Sequence, residues 1–222
     1  MITFSDICND LTNWNSLTNG SSTRASSNSI MGPLIEFDLS SIPALDSSSE
    51  PVNVYVGYNN TYLVLVMIQK SKDIQSRYTT DLPGVLSDMA IVQANYRTGS
   101  IVNVPHSTLL TNQITNAEAI ARTAAYASAT NRLNIMNDLN YGPIFFEVPK
   151  SNFLLSGNKK AIFGIKTEKI KKADVTRFDL IIENWENGQE ANKMYFDVSL
   201  SIPPHKASGN YGLYQYLNYN FS

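Results

Sequence analysis

The clearest hydrophobic pattern is a pair of segments rich in β-branched and aromatic residues, at 52–58 and 61–68. Asn59-Asn60 stands between them, and Asn tolerates the positive φ angles of a two-residue hairpin turn. The pattern therefore predicts a β-hairpin. Its second arm, Tyr62 to Ile68, is apolar at almost every position, which predicts a central strand covered on both faces.

Other segments of the same kind predict further strands. They lie at 34–39, 89–96, 100–104, 144–148, 160–166, 175–183 and 193–202. Asn187-Gly188 falls in a loop between the last two, and Pro203-Pro204 ends the ladder because proline has no N–H to donate. The segment from Arg77 to Pro83 is interpreted as a loop.

One stretch has the signals of a helix. Thr115-Asn-Ala-Glu118 matches a capping box, and Tyr141-Gly142-Pro143 is a stop signal, so one helix is predicted from 115 to about 140. Its first half carries small side chains and its second half bulky ones, which suits a helix lying on a sheet. Arg122 and Arg132 are expected to face solvent or to cap carbonyl groups.

Both ends of the chain differ from its middle. Fourteen of the eighteen residues from Thr12 to Ser29 are Ser, Thr, Asn or Gly, a composition that cannot bury much apolar surface. This segment is interpreted as an arm or long loop, which Trp14 anchors to the core or to a neighbouring subunit.

Near the other end, five aromatic residues fall within eleven positions, namely Tyr211, Tyr214, Tyr216, Tyr219 and Phe221. In an extended chain Tyr214, Tyr216, Tyr219 and Phe221 would form a docking strip, on their own domain or on another subunit.

These elements predict the α+β class: a β-rich single domain, mainly antiparallel sheet, packed against one long central helix at about 115–140. The predicted boundaries are a polar N-terminal arm at 1–33, the α+β domain at 34–203 and an aromatic C-terminal tail at 204–222.

The charge of the chain indicates which partners are expected. Charged residues make up 16% of the chain and the formal net charge is −2. A sparsely charged surface suits a protein packed against partners, although composition bias explains it equally well. The net charge does not favour nucleic acid or anionic membrane as a partner.

One run of the sequence is basic. Its seven basic residues between Lys159 and Arg177 are interpreted as protection of an exposed strand, with a patch for phosphate or an acidic partner as the alternative.

Compartment signals are few. The chain has one cysteine, Cys8, no signal peptide, and no apolar stretch long enough to span a bilayer as a helix. The expected location is cytoplasmic at synthesis, or within a particle.

The repertoire for catalysis is narrow. Besides Cys8 there are two histidines, His106 and His205, each beside a proline and without a catalytic or ligand pattern. No phosphate-loop, dinucleotide or nucleophile-elbow motif is present, and Gly157 to Lys160 is interpreted as a hairpin turn. The sequence therefore assigns no catalytic residue, no cofactor and no metal, and predicts that the protein is not an enzyme.

Carboxylate side chains are the remaining candidates for catalysis. Glu183, Glu186 and Glu190 surround Trp185, the arrangement a glycosidase needs, but their position beside a predicted hairpin tip favours ordinary loop charges. Two other groups of charged residues are not assigned as sites. Asp73, Asp81 and Asp88 fit no calcium loop, and Glu118 with Arg122 is interpreted as a cap and a surface pair.

Three functions follow. The first is a non-enzymatic structural or protein–protein interaction subunit of a larger assembly, such as a virion, phage-tail or injection-machine component, or a bacterial accessory protein. Its partners would be copies of itself or other subunits, met through Trp14, Tyr214, Tyr216, Tyr219 and Phe221. The alternative is a carbohydrate- or small-ligand-binding module that uses exposed Tyr and Trp with Asn side chains, favoured if Tyr55, Tyr58, Tyr62 or Trp185 cluster around a concavity. The third is a carboxylate-based hydrolase.

Overall fold

A computed structural model describes residues 2–33, 35–40, 42, 50–96, 112–139, 142–143, 145–153, 158–170, 173–185, 193–197, 200–201 and 211–217. The α-helices within these ranges are α1 (Phe4–Asn19), α2 (Arg24–Met31), α3 (Arg77–Thr80), α4 (Leu82–Asp88), α5 (Asn116–Ala127), α6 (Ala129–Leu139) and α7 (Gly212–Tyr216). The strands are β1 (Ile35–Asp38), β2 (Val52–Tyr58), β3 (Leu63–Gln69), β4 (Ala90–Tyr96), β5 (Gln113–Ile114), β6 (Phe145–Val148), β7 (Asn158–Ile170), β8 (Ala173–Trp185), β9 (Lys193–Phe196) and β10 (Leu200–Ser201). The class is α+β and β-rich, as predicted.

The ten described strands form one antiparallel sheet in the order β10-β6-β2-β3-β4-β1-β7-β8-β9-β5. Strand β4 joins its two halves, because residues 90–93 pair with β3 and residues 94–96 pair with β1. We call β10, β6, β2 and β3 the first half-sheet, and β1, β7, β8, β9 and β5 the second half-sheet.

The two half-sheets share a core. The Phe163 ring of β7 lies 6.0 Å from that of Phe146 on β6 and 5.6 Å from that of Phe37 on β1, measured between centroids. Strand β3 is buried at every position from Leu63 to Ile68, so the prediction of a central strand covered on both faces is confirmed.

Helices cover the outer faces of both half-sheets. Helix α1 packs on β2 through a stripe spaced three or four residues apart, comprising Phe4, Ile7, Leu11 and Trp14. Helix α5 packs on β7, where Gly164 lets it come close: a Cβ there would lie 3.3 Å from the Cβ of Arg122. No helix in the described part of the chain is long and apolar enough to cross a membrane.

The interpretation of 12–29 as an arm or long loop is wrong, since α1 and α2 occupy most of it. Thr3 and Asp6 form a capping box that begins α1, and the apolar stripe places the polar majority on the other face. In α2, Ser27 and Asn28 are buried with Met31. Small polar side chains here pack against the fold because their hydrogen bonds are satisfied, as in Ser27 Oγ to the Arg24 carbonyl at 2.9 Å.

One long central helix is not what the structure contains. The Thr115–Glu118 capping box begins α5 as predicted, but Ser128 has extended backbone (φ −71°, ψ 113°) and separates α5 from α6. The Ser128 hydroxyl accepts from the Asn131 N–H at 3.3 Å. The Arg132 guanidinium donates to the carbonyls of Tyr126 and Ala127, at 2.6 and 3.1 Å, so it caps carbonyls as expected.

The predicted hairpin is confirmed with a longer connection. Tyr58 pairs with Leu63, so four residues join the strands rather than two. Asn60 has the expected positive φ of 66°. The Asn59 side-chain oxygen accepts from the N–H groups of Thr61 and Tyr62, at 3.1 and 2.8 Å, and this bonding stabilises the wider turn.

Other strand predictions are confirmed near their bounds by β1, β4, β6, β7 and β8. Two local predictions are wrong. The segment 77–83 is helical, because Asp81 caps α4 by accepting from the Gly84 N–H at 3.2 Å. The segment 193–202 holds two strands, β9 and β10, that pair with different neighbours. The strand at 100–104, the turn at Asn187-Gly188 and Pro203-Pro204 lie outside the described residues.

Candidate functional site

A groove runs beside α1 and the β2–β3 turn, along the start of β4. Its volume is about 440 Å³. Its polar lining consists of Asp6, Asn9, Asp10, Asn13, Asn59, Asn60 and Gln93, and its apolar lining consists of Ile2, Val64 and Ile91. Residues 50 or more positions apart in the chain therefore converge on one surface.

Two features of the sequence place α1 at this groove. Asp6, Asn9, Asp10 and Asn13 recur every three or four residues, so they form one side of α1 next to its buried stripe. Gly57 of β2 lies beneath the helix, where a Cβ would be 3.2 Å from the carbonyl carbon of Asp10. The missing side chain lets α1 lie close to the sheet, and this sets the position of Asp10.

The groove is rich in amides and has an acidic character. Five of its polar residues are amides and two are carboxylates, and no lysine or arginine among the described residues lines it. Hydrogen bonds from Thr3 lower the pKa of Asp6. Burial, followed by the charge of Asp6, raises the pKa of Asp10. Asn9, Asn60 and Gln93 are exposed, so their amide groups face solvent and both donate and accept hydrogen bonds.

An exposed aromatic ring lies in the same turn. Tyr62 is 46% exposed and lines a small neighbouring hollow with Ile30, Ile35 and Asn95. The other aromatic residues expected around a concavity are placed differently. Tyr55 is fully buried, and Trp185 is 9% exposed with Lys160 and Lys193 over its ring.

A second polar cluster is fully buried around Asp73. Its carboxylate accepts from Asn53 Nδ2 at 2.7 Å, from the Tyr78 hydroxyl at 2.6 Å, from the Tyr55 hydroxyl and from the Leu213 N–H at 2.9 Å. Burial raises the pKa of Asp73, and burial together with the Asp73 charge raises the pKa of both tyrosines. This cluster fastens α7 to the first half-sheet.

A third cluster consists of charges beneath α5. Arg122 contacts Asp179 at 2.9 Å and also Asp197, while Lys166 contacts the same two carboxylates at 3.2 and 2.8 Å. The expected surface pair of Arg122 with Glu118 is therefore wrong, since Arg122 turns inward to the sheet. Two cations balance two carboxylates, so the cluster holds α5 in place.

The predicted interaction residues lie largely inside the fold. Trp14 is fully buried and its indole N–H donates to the Pro143 carbonyl at 2.9 Å. Tyr214 is buried and Tyr216 half-buried, on a short helix rather than an extended strip. Tyr219 and Phe221 lie outside the described residues.

The carboxylates proposed for a hydrolase do not form a described site. Glu183 is buried on β8 and is not solvated like an ordinary loop charge, and its carboxylate lies 3.8 Å from the Lys193 ammonium. Glu186, Glu190, His106 and His205 are outside the described residues. Asp81 and Asp88 both bind Arg77, and in the described ranges no three acidic, His or Cys side chains are grouped to hold a metal ion.

The basic run divides between surface and interior. Lys169 is exposed near the end of the β7–β8 hairpin, as expected for a solvated lysine. Lys159 and Lys166 are buried instead, and Lys160 pairs with Glu36 at 2.7 Å. Most of β7 and β8 lies inside the sheet rather than at its edge, so the protection of an exposed strand applies only to the hairpin end.

The groove is not among the sites that the sequence predicts. The spacing of Asp6, Asp10 and Asn13 beside the stripe of Ile7 and Leu11 is visible in the sequence and predicts an amphipathic helix. The low-complexity composition from residue 12 onward obscured that spacing. Gln93 had no local signal, since only the pairing of β3 with β4 brings it to the groove.

Comparison with known proteins adds no assignment. No protein-family model matches the chain, and neither a curated protein nor a solved structure matches it. Function is therefore inferred from the geometry of the groove.

Proposed function

We propose that the chain is a non-enzymatic binding protein whose groove along α1 takes a polyhydroxylated ligand, of the carbohydrate class. The convergence of five amides and two carboxylates from α1, the β2–β3 turn and β4 carries this proposal. Each ligand hydroxyl donates and accepts a hydrogen bond, and amide side chains offer both partners. The groove volume of about 440 Å³ falls within the usual range for small-ligand sites.

Charge narrows the ligand class. In the part of the chain that the structure describes, the groove lining has two carboxylates and no lysine or arginine, so a phosphate or carboxylate on the ligand would meet charges of its own sign. Neutral sugars and amino sugars fit this lining. An amine on the ligand would approach Asp10, whose carboxylate lies deeper than that of the exposed Asp6.

The aromatic contribution comes from Tyr62. Tyr62 is 46% exposed in the same turn that supplies Asn59 and Asn60, and it lines the hollow beside the groove. An exposed aromatic face next to amide groups suits the apolar face of a sugar ring.

Binding can be tested with a panel of neutral oligosaccharides, amino-sugar oligomers and sugar phosphates, screened on an array and measured by calorimetry. We expect binding of the first or second class, and a loss of about 3- to 10-fold in affinity in Asp10→Asn and in Gln93→Ala, as for one lost hydrogen bond. Asn134→Ala, which removes an exposed amide from α6, is the matched control. Binding of sugar phosphates alone, or equal losses in all three variants, would contradict the proposal.

A subunit of a larger assembly is the second candidate. The sparse charge of the chain, 16% of residues, and the exposed Ile2 and Ile74 side chains support it. On this proposal the protein is cytoplasmic at synthesis, or built into a particle with copies of itself or other subunits. Light scattering across a concentration series tests self-assembly: a discrete oligomer supports it, and a constant mass of 24.7 kDa contradicts it.

A further inference from the structure

The segment Tyr211–Leu217 is held by close backbone contacts. The Leu213 N–H donates to the Asp73 carboxylate at 2.9 Å, and the Gly212 N–H donates to the Asp73 carbonyl at 3.2 Å. A Cβ on Gly212 would lie 2.6 Å from each of three backbone atoms of residues 73–75. Only glycine fits at this position.

Gln75 Nε2 also donates to the Gln215 carbonyl at 3.1 Å, and aromatic rings add to the contact. Tyr211 lies 4.6 Å from Phe145, and Tyr214 lies 5.0 Å from Tyr55, between ring centroids. Tyr216 lies 5.4 Å from Phe4 and 5.6 Å from Tyr78. The segment thus covers four rings that belong to α1, β2, α3 and β6. We call these four rings, with Asp73, the segment receptor.

Contacts outside the segment also hold the segment receptor in place. Asn53, Tyr55 and Tyr78 all donate to the Asp73 carboxylate, and all three belong to β2 or α3. If the segment leaves, Asp73 keeps these three donors and offers the oxygen that the Leu213 N–H had bound. The four rings would then form an exposed aromatic patch, which water covers at a cost in free energy.

We propose that the segment receptor also accepts Tyr211–Leu217 in trans, from a second copy of this chain, so that chains join by exchanging the segment. An identical segment reproduces every contact of the intramolecular arrangement, so exchange changes little besides the entropy of association. The intramolecular arrangement predominates in dilute protein, and exchange increases with concentration. This proposal does not depend on the groove, and it supplies the assembly candidate with a defined contact.

A peptide tests the receptor directly. The probe is a labelled peptide of residues 210–217, Asn-Tyr-Gly-Leu-Tyr-Gln-Tyr-Leu, added to full-length Gly212→Ala, whose own segment no longer fits. We expect saturable binding at least 10-fold tighter than to the wild-type chain, whose receptor is filled. A matched peptide with alanine in place of its glycine should bind at least 10-fold more weakly. If the variant has a native circular dichroism spectrum and binds neither peptide, or both equally, the proposal is wrong.

The wild-type chain provides a measurement that needs no variant. Protein refolded from urea at high concentration should contain dimer by light scattering, and an excess of the glycine peptide during refolding should reduce the dimer fraction at least threefold. The alanine peptide should leave it unchanged. A mass of 24.7 kDa at every refolding concentration, or dimer that the glycine peptide does not reduce, would overturn the proposal.

Discussion

Gly57 and Asp10 touch across the interface of α1 and β2. A Cβ at Gly57 would lie 3.2 Å from the carbonyl carbon of Asp10 and 2.9 Å from a methyl group of Val64. No side chain larger than hydrogen fits at Gly57 without moving the helix or the neighbouring strand. One contact therefore sets both the packing of α1 and the position of a groove carboxylate.

Gly57→Ala should destabilise the protein by about 1–3 kcal/mol, the usual cost of overpacking a close-packed site. Urea unfolding measures the change in the free energy of unfolding. Gly20→Ala is the control, since the nearest atom to a Cβ there is the Thr23 hydroxyl, which rotates away more readily than backbone. Equal stability of the two variants would contradict the close contact. Any sugar bound in the groove should also bind more weakly to Gly57→Ala than to Gly20→Ala.

Local signals predicted the elements that depend on near neighbours. The hairpin of β2 and β3 follows from two β-rich segments around Asn59 and Asn60, and the start of α5 follows from Thr115 and Glu118. In each case the interacting residues lie within a few positions of each other, so the sequence alone contains the physical cause.

Elements that depend on distant partners were not predictable. The interruption at Ser128 is stabilised by Arg132, which also donates to Asn28 on α2, 104 positions away. Likewise α2 has too little apolar surface to be recognised by itself, and it forms a helix because α6 and α1 pack against it.

The candidate site also depends on residues that are distant in the sequence, so only part of it was predictable. The sequence predicted amides with an exposed aromatic ring as one kind of binding surface, and Tyr62 was among the aromatic candidates. It did not predict which amides converge, because Asn13 and Gln93 meet only after α1 packs on β2 and β4 pairs with β3. Tyr55 and Trp185 were expected on that surface, but the packing of the sheet buries both.

Arg132→Met should cost about 2–4 kcal/mol of stability. The substitution keeps an apolar stem but leaves the carbonyls of Tyr126 and Ala127 and the side chain of Asn28 without their donor. Arg132→Lys should recover part of this loss, because an ammonium group donates but cannot match the planar fork of a guanidinium. Thermal unfolding by circular dichroism measures both. Asn134→Met, at an exposed position on the same helix, is the control, and a similar loss there would point to helix propensity instead.

Trp14→Phe should lower stability by about 1–3 kcal/mol at unchanged molecular mass. The ring remains buried, but the Pro143 carbonyl loses the indole N–H that donates to it at 2.9 Å. Urea unfolding together with light scattering separates this outcome from a role in association. A change in mass without a change in stability would show that Trp14 acts between chains. Tyr62→Phe, which removes an exposed hydroxyl, should change stability by less than about 0.5 kcal/mol.

The charged cluster beneath α5 predicts an acid-dependent loss of stability. Burial acts to raise the pKa of Asp197, but Lys166 and Arg122 outweigh it and hold that pKa below its ordinary value of 3.8. Its stabilising effect is therefore fully present above about pH 4 and is lost as the pH falls through the folded-state pKa. Asp73 changes the pH dependence of stability in the opposite direction. Its pKa is raised, so the folded chain holds the Asp73 proton more tightly than the unfolded chain does.

Asp197→Asn isolates the contribution of this carboxylate. At pH 7 the variant should be about 3 kcal/mol less stable than the wild-type chain, because Lys166 and Arg122 are left with Asp179 alone. The gap between the two proteins should narrow as the pH falls from 5 to 2, since the wild-type carboxylate becomes protonated in that window. Urea unfolding at several pH values measures the gap, with Asp138→Asn on the exposed side of α6 as the control. A gap that stays constant down to pH 2 would show that Asp197 does not stabilise the fold through its charge.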